Sequence, residues 1–416
     1  MKRLEFIKFL HRHPVLFNFI ASIFIPAMIN RDFSYNSHMT LACIKAYSKT
    51  LNKKERTVWH NLLFPSEIFH SMNISSFVFE MASSILAKFN VSNRLISSIE
   101  CAGLTRELCS FQKCAAGAVR SGLIPSPEML VTSSELCDSI RKIGEFYDKS
   151  EKHFYLDIPF DKSENSVKYV KEQLEDFINW LECNTGKKYS EEQLRRSLKY
   201  SNQLRKNMIK VMELRRDYPG IMGAKPVFGL FNFNLFYGSH QGVKISEMLL
   251  AELMEKSRYF KPPGEQIKIL WLYFVPFYKE SFTEVLKKNG ASSVVFEEMN
   301  NIYWEELPLD DPLEGLAHKI MSSPFFGSAG NRIEKIVKLC DFFGIHGAVH
   351  FSQSSCRKIN GGIRLIKDAL SVKNIPLLEL SGDCIDSRNY SDGQLKTRLE
   401  AFLEMFDYTL YENCEE

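Results

Sequence analysis

Ile267-Lys-Ile-Leu-Trp-Leu-Tyr-Phe-Val275 begins the stretch of sequence that decides the fold. It is an apolar run of strand length, and three shorter runs follow it with room for helices between them: Val294–Phe296, Ala348–Phe351 and Pro376–Leu380. Gly290 and Gly344 are placed to end two of those helices. Strands that alternate with helical spacers pair in parallel through right-handed crossovers. The last third of the chain is therefore predicted to be a doubly wound α/β domain.

The same alternation occurs earlier in the chain. Helical stretches, notably 81–89 and 136–147, separate apolar runs that predict four more strands: Thr57–Phe64, Ser76–Phe79, Met129–Ser133 and His153–Asp157. Two regions of this kind predict an α/β protein with two doubly wound domains, flavodoxin-like or Rossmann-like, each with a small parallel sheet.

The segment between the two α/β regions is predicted to be helical. Apolar residues recur every three or four positions over 167–181 and 194–212, which gives one apolar stripe. Ser190 and Gln193 fit a capping box, and Pro219-Gly220 would end the helix that the box begins. With a linker at Lys261–Gly264, the predicted division is an N-terminal helical segment (1–55), a first α/β domain (56–162), a helical region (163–262) and a second α/β domain (263–416).

Composition excludes several classes of protein. The 416 residues include 53 basic and 50 acidic side chains, and this balance predicts neither nucleic-acid binding nor a strongly anionic partner. Ten cysteines in a chain of this length are too sparse for a disulfide scaffold. We therefore expect a cytoplasmic protein with reduced thiols.

The N-terminus has the charged and apolar regions of a signal peptide without the rest of one. Lys2, Arg3 and Lys8 precede an apolar run over 15–29, but no small-x-small cleavage site follows it. About 15 residues are too few to span a bilayer. We expect no membrane span and a packed N-terminal helix; a helix that docks on a membrane surface or a partner is the alternative.

Three cysteines are candidates for chemistry. Cys137 and Cys356 each follow a predicted strand, at the edge where open α/β sheets place ligands, and a helix after each would favour the thiolate. Cys109 lies in Arg106-Glu-Leu-Cys-Ser110. No CxxC motif joins them, so each alone is better explained as a buried structural thiol. Three thiolates brought together between two sheets would instead hold an iron–sulfur cluster and leave one iron without a protein thiolate.

Five stretches of the chain carry a resemblance to one family: Leu108–Lys113, Pro125–Asp138, Gly347–Arg357, Ile375–Asp383 and Gly393–Glu404. In this order they resemble the subunits of the 2-hydroxyacyl-CoA dehydratases and benzoyl-CoA reductases. The resemblance implies a [4Fe-4S] cluster held by Cys109, Cys137 and Cys356 between two α/β domains. It also implies a homologous second subunit, as heterodimer or homodimer, and a separate ATP-dependent iron–sulfur activator that injects an electron.

The implied reaction removes water from an (R)-2-hydroxyacyl-CoA to give the 2-enoyl-CoA. The β-proton that must leave is barely acidic, but one-electron reduction of the thioester carbonyl gives a ketyl radical that expels the adjacent hydroxyl, after which an ordinary base suffices. Alternatives are a reductase of the benzoyl-CoA or double-cubane type and a non-catalytic subunit that relays electrons. The double cubane would need additional cysteines, and 60–65 and 272–277, where we would expect them, contain none.

Glu80 is the candidate catalytic residue. We place it at the end of the second strand, 15 residues after Pro65, a spacing that resembles the family's active-site glutamate. There it could protonate or orient the leaving hydroxyl; a solvated or capping glutamate is the equal alternative. Asn61 stands where the family is expected to carry a small hydroxyl or thiol residue. Cys101 and Cys114 are expected to be structural, and Gly327–Arg332 is either a plain turn or a cradle for a CoA phosphate.

Overall fold

The computed structural model describes residues 33–51, 57–134, 139–140, 152–223, 229–262, 266–279, 281–289 and 292–412. Two four-stranded sheets organise them, and every strand pair is parallel. The first sheet has the order β2-β1-β3-β4 and consists of β1 (Thr57–His60), β2 (Ser75–Val78), β3 (Met129–Ser133) and β4 (His153–Leu156). The second has the order β6-β5-β7-β8 and consists of β5 (Ile267–Leu272), β6 (Ser292–Glu297), β7 (Gly347–Gln353) and β8 (Leu377–Gly382).

The predicted fold class is confirmed, and all eight predicted strands are present: β3 has the predicted bounds, and the other seven differ at one or both ends. β1 stops at His60 and β5 at Leu272, both earlier than predicted. Leu63 and Tyr273 have φ values of 65° and 76°, which lie outside the extended region and cannot continue a strand. Phe79, predicted as the last residue of the second strand, is the first residue of a helix.

Helices connect the strands and fill the middle of the chain. Those before and within the first α/β unit are α1 (Ser34–Leu51), α2 (Ser66–Ser71), α3 (Phe79–Lys88), α4 (Ser92–Glu100) and α5 (Ser110–Arg120). The middle of the chain contains α6 (Glu164–Thr185), α7 (Glu191–Asp217), a 3-10 turn (Leu230–Leu235) and α8 (His240–Ser257). The last third contains α9 (Ser281–Asn289), α10 (Pro312–Met321), α11 (Ala329–Phe343), α12 (Arg357–Asn360), α13 (Ile363–Ser371), α14 (Asp392–Glu412) and 3-10 turns at Glu298–Asn300 and Ser387–Asn389.

The helix α7 begins and ends where the residues Ser190 and Pro219 predict. The Ser190 hydroxyl accepts a hydrogen bond from the backbone N–H of Gln193, and α7 ends at Asp217, two residues before Pro219. Gly344 ends α11 in the left-handed conformation with φ of 60°. None of the described helices is long and apolar enough to cross a membrane.

Several predictions concern residues outside the described ranges. They are the apolar run at 15–29, most of the predicted helix at 136–147, the linker end at Gly264, and the cap at Gly290. The domain boundaries also stay predictions.

The two α/β units pack against each other through α4, α5 and the loops at the carboxyl edge of the second sheet. Ser92 donates a hydrogen bond of 2.7 Å to the carbonyl of Ile385. The ring of Phe111 on α5 contacts Phe274 and Phe277, which follow β5, with ring centroids 6.2 and 6.0 Å apart. The carboxyl edges of the two sheets therefore lie beside each other.

Candidate functional site

Asn61 closes the gap between the two central strands of the first sheet. It directly follows β1, where the strand order reverses and open sheets form their ligand crevice. Its Oδ1 accepts a hydrogen bond of 2.8 Å from the backbone N–H of Ser133, and its Nδ2 donates to the carbonyl of Leu62 at 2.9 Å. Asn61 is completely buried. Asn61 thus fixes the position of the loop after β1.

Glu80 is the second residue of α3, and its predicted position at the end of a strand is wrong. Its Oε2 accepts a hydrogen bond of 3.1 Å from the backbone N–H of Leu62, and its Oε1 accepts one of 3.1 Å from Gln112 Nε2. The side chain is only 7% exposed. Burial raises the pKa of this carboxyl from 4.5 to about 8, and the hydrogen bonds offset burial only in part. This raised pKa favours the protonated form of the Glu80 carboxyl near pH 7.

The partner of Glu80 also fits a protonated carboxyl. Gln112 lies on α5 and is 2% exposed. Its Oε1 is buried without a hydrogen-bond partner in the described part of the chain. Rotation of the amide by half a turn would let this oxygen accept the proton of Glu80, an exchange of O and N that leaves the side-chain shape unchanged. Gln112 connects Glu80 to the helix that Cys109 begins.

Two of the three predicted cluster cysteines lie at the facing edges. Cys109 is the residue before α5, and Cys356 follows β7 and precedes α12. Both are partly buried in the same core. Burial raises the pKa of Cys356, while hydrogen bonds from the amides of Ile359 and Lys358 and the charge of Arg332 oppose that rise. Cys137 lies outside the described residues.

A further cysteine, which the sequence analysis did not single out, lies at the same edge. Cys384 comes two residues after β8 ends and is completely buried. It interacts electrostatically with Asp383, Cys109 and Cys356. The signal was present in the sequence, because Cys384 follows the apolar run Pro376–Leu380 just as Cys356 follows its own strand.

Gln353, the last residue of β7, joins the segments that carry these thiols. Its Nε2 donates a hydrogen bond of 3.1 Å to Ser110 Oγ, next to Cys109. Its Oε1 accepts one of 2.7 Å from the N–H of Cys384, and its backbone carbonyl accepts one of 3.1 Å from the N–H of Cys356. One buried side chain therefore holds three cysteine-bearing segments in register.

Arg332 supplies a buried positive charge beside Cys356. Its guanidinium binds both carboxylate oxygens of Glu298, at 2.6 and 2.8 Å, and donates to the carbonyl of Ile359 at 2.7 Å. It is 5% exposed, so its donors serve this internal network. The Arg332 side chain is therefore not available to the predicted phosphate cradle at 327–332, which stays a prediction.

Thiols from two separate α/β units are ligands of the kind that an iron–sulfur cluster takes. No three His, Cys, Asp or Glu side chains in the described ranges are arranged to share one metal ion. A cubane binds each thiolate to a different iron, so its ligands stand farther apart than ligands of one ion. Cys109 and Cys356 come from separate α/β units and meet at one edge, as such a cluster requires. The backbone amides and Arg332 beside Cys356 offset only in part the burial that raises the pKa of its thiol.

The other cysteines near this edge differ in exposure. Cys101 is exposed just after α4, while Cys114 is completely buried within α5. The thiol of Cys114 forms a hydrogen bond with the side chain of Ser83. This position fits the structural role that we predict for Cys114.

The fold and the site define a class of protein: two parallel α/β units whose carboxyl edges face each other around thiols and a buried carboxylic acid. Residues 61–406 match the family described as 2-hydroxyglutaryl-CoA dehydratase, D-component. The chain belongs to this family, which confirms the resemblance found in the sequence.

The relatives of the chain are distant and cover most of its length. It is 22% identical over 373 residues to the (R)-phenyllactyl-CoA dehydratase alpha subunit of Clostridium sporogenes, covering 84% of this chain and 89% of that one. It is 24% identical over 357 residues to a benzoyl-CoA reductase subunit of Thauera aromatica, covering 76% and 80%. It is 21% identical over 385 residues to the (R)-2-hydroxyisocaproyl-CoA dehydratase alpha subunit of Clostridioides difficile, covering 84% and 90%.

Proposed function

We propose that this chain is a subunit of a [4Fe-4S] (R)-2-hydroxyacyl-CoA dehydratase that eliminates water to form the 2-enoyl-CoA. The observation that carries the proposal is the buried Glu80, which is hydrogen-bonded to Gln112 on the helix that follows Cys109 and whose pKa is raised by burial. Membership of the dehydratase family and the dehydratase alpha subunits among the relatives support it.

Cys109, Cys137 and Cys356 would hold the cluster. When bound, the cluster supplies Lewis acidity and the low-potential electron that reduces the thioester carbonyl, the ketyl-radical route to loss of the adjacent hydroxyl. The thiols give up their protons on binding iron. The amides of Lys358 and Ile359 and the charge of Arg332 lower the cost of that deprotonation at Cys356.

Glu80 would supply the proton for the leaving hydroxyl. As the C–O bond breaks, the carboxylic proton passes to the departing oxygen and water is released. The carboxylate that remains would accept hydrogen bonds from the N–H of Leu62 and, once the Gln112 amide has the orientation of the structure, from its Nε2. Because Glu80 is buried, bulk water does not compete for its proton before the substrate arrives.

The proposed complex contains two further proteins. A homologous second subunit pairs with this chain, and an ATP-dependent iron–sulfur activator delivers the electron. The relatives are themselves named as subunits of larger enzymes, which supports a partner. The substrate is an acyl-CoA.

A reductase is the second candidate function, because a benzoyl-CoA reductase subunit is among the relatives. The two reactions are distinguished by their products. A dehydratase converts a 2-hydroxyacyl-CoA to the enoyl-CoA with no net consumption of electrons, whereas a reductase consumes electrons in proportion to product.

The first experiment measures iron and acid-labile sulfide on anaerobically purified protein, with EPR after dithionite reduction. We expect about four of each per chain, the content of one [4Fe-4S] cluster, and their loss in C109S, C137S and C356S. Cys340→Ala is the matched control, since Cys340 is buried in a separate core of the last third. Absence of iron under strict anaerobiosis would contradict the proposal.

The second experiment measures turnover with the partner subunit, the activator, ATP and a reductant over a panel of hydroxyacyl-CoAs. We expect enoyl-CoA as the product. Glu80→Gln should lower kcat by about 10²-fold or more, the usual contribution of a positioned acid. Unchanged turnover in E80Q would contradict the role of Glu80 as proton donor and favour a non-catalytic role for this chain.

A further inference from the structure

We propose that a cluster of phenylalanine rings at the facing edges of the two sheets binds the side chain of the acyl group and selects a large apolar one, of phenyl or branched-alkyl size. The inference rests on the proposed function and names the substrate class of that site. The rings belong to Phe111, Phe231, Phe274 and Phe277, here called the phenylalanine cluster. They come from α5, from the 3-10 turn Leu230–Leu235 and from the loop after β5.

The loop after β5 lies where an open sheet binds its ligand. β5 has β6 on one side and β7 on the other, so the direction of winding reverses at this strand. Ligands of open α/β sheets bind in the crevice beyond the carboxyl ends of such strands. Residues 273–277 directly follow β5 and supply two rings of the phenylalanine cluster. The equivalent loop of the first sheet, after β1, contains Leu62, whose N–H donates to Glu80.

Phe274 lies at the centre of the phenylalanine cluster. Its ring centroid is 4.9 Å from that of Phe231, 5.9 Å from that of Phe277 and 6.2 Å from that of Phe111. Phe111 is buried, whereas the other three side chains are only half-buried. These rings therefore still present apolar surface that a bound group can cover. Pockets for small molecules are lined mainly by such side chains, with a few polar groups that orient the ligand.

The phenylalanine cluster adjoins the proposed proton donor. Phe111 and Gln112 are consecutive on α5, and Gln112 Nε2 donates a hydrogen bond of 3.1 Å to Glu80 Oε1. In a 2-hydroxyacyl thioester the hydroxyl and the acyl side chain are attached to the same carbon. An acid that reaches the hydroxyl must therefore lie next to the groups that hold the side chain. Glu80 would supply the polar contact and the phenylalanine cluster the apolar wall.

The buried cations of these segments are already paired. Lys113 on α5 donates from Nζ to Glu100 Oε1 at 2.8 Å, and its side chain is 4% exposed. The guanidinium of Arg332 is bound by the carboxylate of Glu298. A carboxylate placed against the phenylalanine cluster would lose its hydration without gaining either cation, which is unfavourable. A dicarboxylic acyl chain is therefore disfavoured.

A small acyl chain is disfavoured for a different reason. A phenyl or branched-alkyl group covers the exposed parts of the half-buried rings, and a phenyl group can pack edge to face, as Phe231 packs on Phe274. A methyl group covers little of this surface. Because a single methylene in an apolar pocket already changes binding by about 10-fold or more, we expect strong discrimination by size.

The test is calorimetric binding of acyl-CoAs that lack the 2-hydroxyl group to the anaerobic protein assembled with its partner subunit. The probes are 3-phenylpropanoyl-CoA, 4-methylpentanoyl-CoA, propanoyl-CoA and glutaryl-CoA. We expect the phenyl and branched probes to bind at least about 10²-fold more tightly than propanoyl-CoA. Glutaryl-CoA should bind no more tightly than propanoyl-CoA.

Phe274→Ala assigns the preference to this chain. It should weaken binding of 3-phenylpropanoyl-CoA by about 10-fold or more and leave binding of propanoyl-CoA unchanged, because only the larger group reaches the removed ring. Phe89→Ala is the matched control, since it removes a 48% exposed ring just after α3, and it should bind every probe as wild type does.

Each outcome separates the inference from the proposed function. Equal binding of all probes by the wild type overturns the inference and leaves the proposed dehydratase intact, and so does a preference that F274A retains in full. Failure of every probe to bind contradicts the proposed function itself, whose substrate is an acyl-CoA. If F274A does not fold, Phe274→Leu keeps apolar volume without the ring and should weaken binding of 3-phenylpropanoyl-CoA more than that of 4-methylpentanoyl-CoA. No change for either probe in F274L would overturn the inference.

Discussion

Ser110 and Asp383 form a hydrogen bond of 2.6 Å from Oγ to Oδ1, although 273 residues separate them. Ser110 is the first residue of α5, and Asp383 directly follows β8. Both are at least 98% buried. The bond joins the two α/β units between Cys109 and Cys384, so the distance between the two cysteine-bearing segments depends on it.

Ser110→Ala should lower the free energy of unfolding by about 1.5–3 kcal/mol, because it removes a hydrogen bond to a buried carboxyl and leaves Gln353 Nε2 without its acceptor. Urea denaturation of the anaerobic protein measures the change. Ser84→Ala is the control, since among the described residues the Ser84 hydroxyl donates to the carbonyl of Met81 within its own helix. Equal stability of the two variants would mean that this contact does not hold the units together.

Asn61→Ala should cost about 1–3 kcal/mol, because the buried N–H of Ser133 and the carbonyl of Leu62 both lose a partner. Asn61→Ser, which restores the kind of residue that we expect from the family, should also destabilise the protein. A serine side chain is too short to hydrogen-bond both the N–H of Ser133 and the carbonyl of Leu62. The shift in urea midpoint measures both variants; a fully stable N61S would show that the loop after β1 moves inward to meet the smaller side chain.

Arg332→Met should lower the free energy of unfolding by about 3–5 kcal/mol, because it leaves Glu298 buried without its partner. The double variant R332M/E298Q should recover part of that loss, since no uncompensated charge remains. Arg364→Met is the control, because its i,i+4 pair with Asp368 is exposed and contributes little. A double-mutant cycle with no coupling would contradict the buried ion pair.

Gly117→Ala should destabilise the protein by about 1–3 kcal/mol or more, because a Cβ at this position would lie 2.3 Å from the carbonyl oxygen of Leu95. Only separation of α4 from α5 relieves this clash, and that movement displaces the helix that follows Cys109. Gly330→Ala is the control: its Cβ would lie 3.5 Å from Ser328 Oγ, an ordinary contact, and the variant should be neutral or slightly stabilising. Thermal unfolding compares the two.

The strands and the loop positions of the cysteines could be predicted because they depend on local patterns. Short apolar runs separated by helical spacers located all eight strands, and Cys356 follows its strand as expected. The prediction for Glu80 was wrong for a local reason as well. The run Ser75–Phe79 favours a strand. Because α3 begins without a side-chain cap, the sequence contains no N-cap residue that would indicate the change from strand to helix.

The rest of the site depends on contacts that no local pattern encodes. The roles of Ser110 and Gln353 follow from residues more than 240 positions apart being brought to one edge. Asn61 was recognised as a departure from the family, but its hydrogen bonds across β1 and β3 require the strand order. Cys384 follows a predicted strand, as Cys356 does, so the same pattern could have identified it. Its electrostatic interactions with Cys109 and Cys356 depend on the fold and could not be predicted.

The raised pKa of Glu80 predicts a pH dependence of stability. Burial raises the pKa of this carboxyl from 4.5 in the unfolded chain to about 8 in the folded protein, so between these values the folded state binds one more proton than the unfolded state. The stability that this group contributes is fully present below pH 4.5 and is lost as pH rises through about 8. The loss amounts to about 1.4 kcal/mol per pH unit.

Glu80→Gln removes this titration while keeping the shape of the side chain. The free energy of unfolding of the wild type should therefore fall by about 3–4 kcal/mol relative to that of E80Q between about pH 5 and about pH 8. Urea denaturation at one-unit pH intervals measures it, with Glu247→Gln on the exposed face of α8 as the control. Parallel curves for wild type and E80Q would mean that Glu80 is already ionised across this range. It could not then be the acid that gives its proton to the leaving hydroxyl.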